Sequence, residues 1–379
     1  MTLTEAQVRR QVADAKRFVV KIGSSLLTDP ASGLAHAAID GWCNQLAELS
    51  ATGRRPLIVS SGAVAEGVAR LGWPGRPADL PRLQAAAAVG QMGLVQAYES
   101  AFSRHGRHTA VVLLTHEDLA DRGRYLNARS TLTHLLDLGV IPVINENDSV
   151  ATEEIRFGDN DTLAALVASL LAADLLVVLT DVDGLHERDP RSSPDAGRLA
   201  YSEATDPGLD ALAGEGGTLG RGGMVTKVRA ARIAARSGAH TVIANGRRDG
   251  VLTRILAGEP EGTLLAATVL PLVARKRWIA GQLKPKGELV VDAGAAAAMR
   301  ERGVSLLPVG VVAVRGKFVR GDVVRCVTEG GQAVAQGLVN YSSGEAERLA
   351  GMGTDEMAGI LDYVEEPELL HRDNLVIID

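Results

Sequence analysis

Aromatic residues make up only 3% of this 379-residue chain, which excludes an extended platform for stacking nucleobases. Cysteine is scarce: Cys43 and Cys326 stand far apart and outside any CxxC. Neither a disulfide framework nor a cysteine zinc site is expected from them, only two reduced thiols in a cytoplasmic protein. No apolar run approaches the roughly 18 residues of a membrane-spanning helix, and Met1 to Lys16 is too polar for a secretory leader. The eight histidines are scattered without ligand spacing, so no metal ion held by the protein itself is expected. The net charge of −6 argues against a chain devoted wholly to nucleic acid. GxxxxGK[ST], GxGxxG, HExxH and GxSxG are all absent, which removes the P-loop, dinucleotide, zincin and nucleophile-elbow readings.

What is present is a globular composition, 46% hydrophobic and 23% charged, rich in alanine and glycine and long enough for two or three domains. Short runs apolar on both faces lie at Phe18 to Ile22, Pro56 to Val59, Thr109 to Leu114, Val140 to Ile144, Leu175 to Leu179 and His240 to Ala244. Helical patterns separate them, at Ala35 to Ala51, Ala63 to Leu71, Arg82 to Phe102, Tyr125 to Leu138, Asp161 to Ala172 and Val225 to Arg236. That alternation predicts an α/β protein, a three-layer αβα sandwich whose mostly parallel sheet is covered on both sides. Ligands of such sheets bind beyond the carboxyl ends of the strands. From about Gly287 the pattern changes to short valine-rich runs, Val309 to Val314, Phe318 to Val324 and Ala333 to Val339, with one helix at Ala293 to Glu301. This predicts a small β-rich barrel. The expected modules are residues 1–270 and 280–365, and the acid-rich tail from Asp355 reads as peripheral.

The strand ends carry the chemistry. Lys21 closes the first apolar run before Gly23-Ser24; a lysine there reaches a phosphate, or snorkels at a sheet edge. Ser60-Ser61-Gly62-Ala63 leads a strand into a helix whose exposed N–H groups bind anions, or are simply capped by serine. Two acid-and-amide clusters follow, Asn145-Glu146-Asn147-Asp148 and Gly158-Asp159-Asn160-Asp161. They suit an ammonium and a carboxylate, or serve as turns and caps. Thr180-Asp181-Val182-Asp183-Gly184 follows the most apolar run and precedes a long polar stretch, residues 183–220, with room to wrap a nucleotide. Gly222-Gly223-Met224-Val225-Thr226-Lys227 enters a helix with a lysine in its first turns, against the helix dipole, which points to a nearby anion or to a solvated side chain.

In this order, these strings resemble the amino acid kinase family, and within it the glutamate 5-kinases, over about residues 16–265. The Asn-Glu-Asn-Asp and Phe157-Gly158-Asp159-Asn160-Asp161 strings distinguish that group from acetylglutamate, aspartate, carbamate and uridylate kinases. The stretch Val319-Arg320-Gly321-Asp322-Val323-Val324 resembles a PUA domain. The resemblance implies transfer of a phosphoryl group from ATP to the γ-carboxylate of L-glutamate, the first step of proline biosynthesis, with Mg²⁺ held mainly through the nucleotide phosphates. It also implies feedback inhibition by proline, a homo-oligomer, and the next enzyme of that route as a possible partner. Carried over by position, Ser61, Gly62, Ala63, Asn145, Asp148 and Asn160 bind glutamate. Lys21, Thr180, Asp181 and the run Arg221, Gly222, Gly223, Met224, Val225, Thr226 and Lys227 bind ATP. Lys21 and Lys227 neutralise the transferring group, and Asp161 holds both. Two residues depart from the pattern: Arg221 in place of threonine, and Glu66 in place of a small or apolar residue.

Two other readings stand beside this one. Another kinase of the same fold, acting on acetylglutamate or carbamate, is opposed by the paired Asn/Asp clusters. An RNA-binding protein would use the basic patch Arg275-Lys276-Arg277-Trp278 with Lys284 and Lys286. A patch of this size is ordinarily a solvated face, so RNA is not expected as the main partner.

Overall fold

The computed structural model describes residues 3–29, 33–150, 160–188, 193, 195–214, 223–268, 285–362, 364 and 366–378. The chain forms two compact units. One comprises residues 1–119 and 129–271, the other 120–128 and 272–379.

The first unit is built on an eight-stranded sheet. Its strands are β1 (Arg17–Ile22), β2 (Arg55–Ser60), β3 (Thr109–Leu114), β4 (Ile141–Glu146), β5 (Leu175–Thr180), β6 (Tyr201–Glu203), β7 (His240–Asn245) and β8 (Thr263–Ala266). They lie in the order β3-β4-β2-β1-β5-β7-β8-β6, all neighbours parallel except the antiparallel pair β7 and β8. The interior strands β4 and β5 are buried at every residue. That explains their continuous apolar sequences, because helices cover both faces of a parallel sheet.

The helices used below are α1 (Glu5–Ala13), α2 (His36–Ala51), α3 (Ala63–Arg70), α4 (Leu80–Ser103), α5 (Arg122–Asp137), α6 (Asn160–Leu170) and α7 (Met224–Arg236). Phe18, Val20 and Ile22 of β1 join one core with Ile39, Trp42 and Leu46 of α2 and Leu94, Tyr98 and Phe102 of α4. Side chains alternate along a strand, so Val19 and Lys21 belong to the opposite face. There α6 packs on β1, and α7 packs on α6 and β7. Cys43, buried within the α2/α4 core, is a free thiol.

Helices α3 and α4 touch backbone to backbone. A Cβ on Gly67 would stand 1.7 Å from the Ala86 carbonyl oxygen, and one on Gly90 only 1.8 Å from that of Ala63. Glycine is required at both positions for the helices to meet so closely. The same packing accounts for Glu66. Its carboxylate is buried, accepts from Arg70 Nε at 2.6 Å one turn on, and fills space that a Cβ on Gly93 would enter. An acid is therefore accommodated there by pairing and by a missing side chain across the interface.

The second unit holds a five-stranded sheet, β9 (Gly287–Val291), β10 (Val311–Gly316), β11 (Val323–Thr328), β12 (Ala333–Leu338) and β13 (Leu375–Ile377), in the order β10-β9-β11-β12-β13. All neighbouring pairs are antiparallel except β9 with β11. Helices α8 (Ala293–Arg302) and α9 (Ser343–Leu349) accompany it. Two expectations are corrected here. Phe318 to Asp322 is a turn leading into β11 and not strand: Gly321 has φ of +84°, and the Asp322 carboxylate accepts from the Val319 N–H at 3.0 Å. The tail is not peripheral, because Met357, Leu361, Leu369, Leu370 and Leu375 lie in the core of this unit. Among the described residues, no helix is long and apolar enough to cross a membrane.

Candidate active site

Lys21 is the fifth residue of β1, and strand alternation turns its side chain toward α6 and α7. Two carboxylate oxygens meet two ammonium groups there. Lys21 Nζ lies 2.7 Å from Asp161 Oδ1, and Lys227 Nζ donates to Asp161 Oδ2 at 3.1 Å. The Thr226 hydroxyl is 2.7 Å from the same Oδ2. Asp161 comes from the first turn of α6, and Thr226 and Lys227 from the first turns of α7. Residues 21, 161 and 227, remote in sequence, thus share one point beside the carboxyl ends of β1 and β5.

All three charged side chains are at most 7% exposed. Burial pushes the Asp161 carboxyl up, but the charges of Lys21 and Lys227 outweigh it, and the carboxyl sits at about 2. The group is therefore ionised at neutral pH, and the trio carries one net positive charge. A buried excess of positive charge at a strand end is suited to an anion. The lysine stems approach from different elements, so their spacing is set by the packing of α6 on β1 and not by local chain geometry.

Next to Asp161 begins a relay of side-chain amides. Asn160 Nδ2 donates to the Ser60 carbonyl at 2.7 Å, to Asn145 Oδ1 at 2.9 Å and to Ser61 Oγ at 3.1 Å. Asn145 Oδ1 also accepts from the Glu146 N–H at 2.9 Å, and Asn145 Nδ2 donates to Gln91 Oε1 at 2.9 Å. Ser60 Oγ lies 3.0 Å from the Tyr98 hydroxyl. Gly62 follows with φ of +98°, a left-handed conformation that favours glycine, and turns the chain into α3. The first N–H groups of α3, beginning at Ala63, face this same end of the sheet. Ser61, Gly62, Ala63, Asn145 and Asn160 are thus brought together. Asp148 lies half-buried in the turn after β4.

Thr180 ends β5, is buried, and its hydroxyl lies 3.2 Å from Asp181 Oδ1. Gly223 is the extended residue before α7, and Met224 and Val225 are half-buried in its first turn. Arg221, Gly222 and the Phe157-Gly158-Asp159 string lie outside the described residues. Gln91 and Tyr98, which sequence reasoning missed, join the site from the middle of α4. A faint signal for Gln91 exists: it stands between Gly90 and close to Gly93, and glycines inside a helix mark a close approach.

Residues 16–245 match the family model of the amino acid kinase family, and residues 287–361 match that of the PUA domain. A glutamate 5-kinase of Thioalkalivibrio sulfidiphilus is 61% identical over 373 residues, covering 98% of this chain and all of that protein. Those of Chromohalobacter salexigens and Pseudomonas fluorescens are 59% and 58% identical, over 100% and 98% of this chain and the whole of each relative. The chain belongs to the amino acid kinase family and, within it, to the family of the glutamate 5-kinases.

Proposed function

We propose that this protein transfers the γ-phosphoryl group of ATP to the γ-carboxylate of L-glutamate, giving γ-glutamyl phosphate and ADP. A glutamate carboxylate oxygen attacks the γ-phosphorus, and the bond from that phosphorus to the bridging oxygen of ADP breaks. A carboxylate is already a competent nucleophile, so the reaction asks for alignment and positive charge and not for a strong base. The observation that carries this reading is the convergence of Lys21 and Lys227 on Asp161 within a buried site. The two ammonium groups neutralise the transferring phosphoryl group, and Asp161 fixes both and keeps their mutual repulsion from separating them.

The relay Ser61, Asn145, Asn160, with Gly62, Ala63 and the carboxylate of Asp148, forms the amino-acid pocket; Asp148 grips the α-ammonium. Thr180, Asp181 and the run from Arg221 through Gly222, Gly223, Met224, Val225, Thr226 and Lys227 bind the nucleotide. Both oxygens of Asp161 are engaged by lysines, and the described residues offer no group of three or more His, Cys, Asp or Glu side chains able to hold a metal ion. That set fits Mg²⁺ carried on the nucleotide phosphates, where it supplies further neutralisation of phosphate charge. The kinase module takes residues 1–270, and the PUA-like module begins near 280 and extends past 365 to take in β13. The reading includes feedback inhibition by proline. The product is a reactive acyl phosphate, which favours hand-over to the next enzyme of proline synthesis.

The test is ADP release with L-glutamate, N-acetylglutamate and carbamate in parallel, with and without L-proline. Glutamate-dependent release that proline suppresses is the expected result. Release with another acceptor and none with glutamate overturns the assignment.

A further inference from the structure

The orientations of three amides in the pocket determine one another. Asn160 presents its nitrogen to three oxygens, those of Ser60, Ser61 and Asn145. Asn145 therefore turns its oxygen toward Asn160, where it also meets the Glu146 N–H, and its nitrogen toward Gln91. Gln91 must answer with its oxygen, at 2.9 Å. Its remaining terminal atom is then Nε2, a two-hydrogen donor that is buried and has no hydrogen-bond partner among the described residues. A buried amide donor without an acceptor is costly, and an exception of this kind requires an explanation.

A merely structural role does not provide one. Holding Asn145 requires only an acceptor, which a glutamate side chain at this position would supply without an orphan donor. Nor is Gln91 free to swing away, because α4 is pressed onto α3 through Gly67 and Gly90. The series Asp161, Asn160, Asn145, Gln91 leads step by step away from the two lysines. In the function proposed above, on which Gln91's role rests, the γ-carboxylate of glutamate faces those lysines. The other end of the amino acid then lies toward Gln91.

We propose that Gln91 determines specificity for the amino-acid substrate, its Nε2 donating to the α-carboxylate of bound glutamate. Gln91→Glu keeps an acceptor for Asn145 Nδ2 and replaces the donor with a negative charge. Gln91→Met removes both. Steady-state kinetics with glutamate and with its α-amide, in which a carboxamide replaces the α-carboxylate, separates the two roles. In wild type, glutamate is strongly preferred. In Gln91→Glu at pH 8 the KM for glutamate rises about tenfold to a hundredfold, the range for losing a hydrogen bond to a charged group. The α-amide loses far less, because its carboxamide donates to the new carboxylate, so the preference ratio falls at least about tenfold. The KM for ATP stays close to the wild-type value. Gln91→Met lowers the same ratio through loss of the donor without introducing a charge, and it serves if the Glu variant does not fold. If glutamate and its α-amide lose equally in both variants, Gln91 only positions Asn145 and the inference is overturned, with the proposed function intact. If wild type releases no ADP with glutamate, the proposed function fails and the inference with it.

Discussion

Replacing Lys21 and Lys227 by methionine, singly and together, probes the buried trio through both rate and stability. Methionine keeps most of the stem and removes the charge. With two ammonium groups and one carboxylate the trio carries +1; each single variant brings it to zero while Asp161 keeps its other partner, at 2.7 Å or 3.1 Å. Loss of one preorganised charge beside the transferring group costs about 10²–10³ in kcat, with a much smaller change in the KM for glutamate. The double variant leaves Asp161, at 1% exposure, without a cation. Stranding a buried charge in this way costs about 3–5 kcal/mol. The double variant therefore loses more stability than the two singles added together, beyond the ~0.5 kcal/mol within which independent sites add. Acid provides a second reading. In wild type, burial raises the Asp161 carboxyl, but Lys21 and Lys227 lower it further, to about 2. That is below the unfolded value of about 3.9, so its contribution to stability is present above pH 4 and is lost as pH falls through about 2. With both lysines gone burial is opposed only by the hydrogen bond from Thr226, the carboxyl rises above its unfolded value, and moderate acidification stabilises the double variant. Urea unfolding across pH 3–8 and ADP release at saturating substrates measure both effects. Near-normal kcat in both single variants, or additive stability losses with an unchanged acid response, would refute the reasoning.

Asp148→Ala is expected to raise the KM for glutamate with little change in kcat; an unchanged KM removes Asp148 from the amino-acid pocket. His240 accepts from the Ala267 N–H at Nδ1, 3.1 Å, and its Nε2 lies 3.0 Å from Gln11 Oε1. Burial lowers its imidazole to about 4 against the opposing charge of Asp174. Because this lies below the unfolded value of about 6.5, stability is complete above pH 6.5 and declines as pH falls toward 4, by up to about 3 kcal/mol. His240→Gln should flatten that part of the urea-midpoint profile, and an identical slope would count against it. Gly90→Ala puts a methyl 1.8 Å from the Ala63 carbonyl oxygen, whereas a Cβ on Gly41, inside α2, meets nothing within 4 Å. The first should lower the melting temperature by several degrees and raise the KM for glutamate; Gly41→Ala should stabilise by roughly 0.5–1 kcal/mol. Melting curves that move the same way for both would contradict the account of the α3/α4 contact.

Much of the kinase module was legible because its sheet is covered on both faces, so each of the strands β1, β4 and β5 announces itself as a continuous apolar run. The residues of the site were legible as polar strings at the ends of those runs. What the sequence withheld was their distances: nothing local says that Lys21 and Lys227 meet on Asp161, because that depends on how α6 packs against β1 and α7 against α6. Gln91 was hidden in the middle of an alanine-rich helix, where a single polar residue reads as solvent-facing. Glu66 looked anomalous until its partner Arg70 and the gap at Gly93 were visible. In the second unit the short valine runs misled at Phe318 to Asp322, where a left-handed glycine and an aspartate acceptor make a turn. The tail misled because its acids outnumber the few leucines, Leu369, Leu370 and Leu375, that anchor it in the core.

A crystal structure with L-glutamate, Mg²⁺ and a non-hydrolysable ATP analogue tests the central claim most directly. The account predicts the Nζ atoms of Lys21 and Lys227 both within about 3 Å of oxygens on the terminal phosphate, with the glutamate γ-carboxylate in line behind it. A terminal phosphate bound elsewhere, with the two lysines still closed on Asp161 alone, would contradict it.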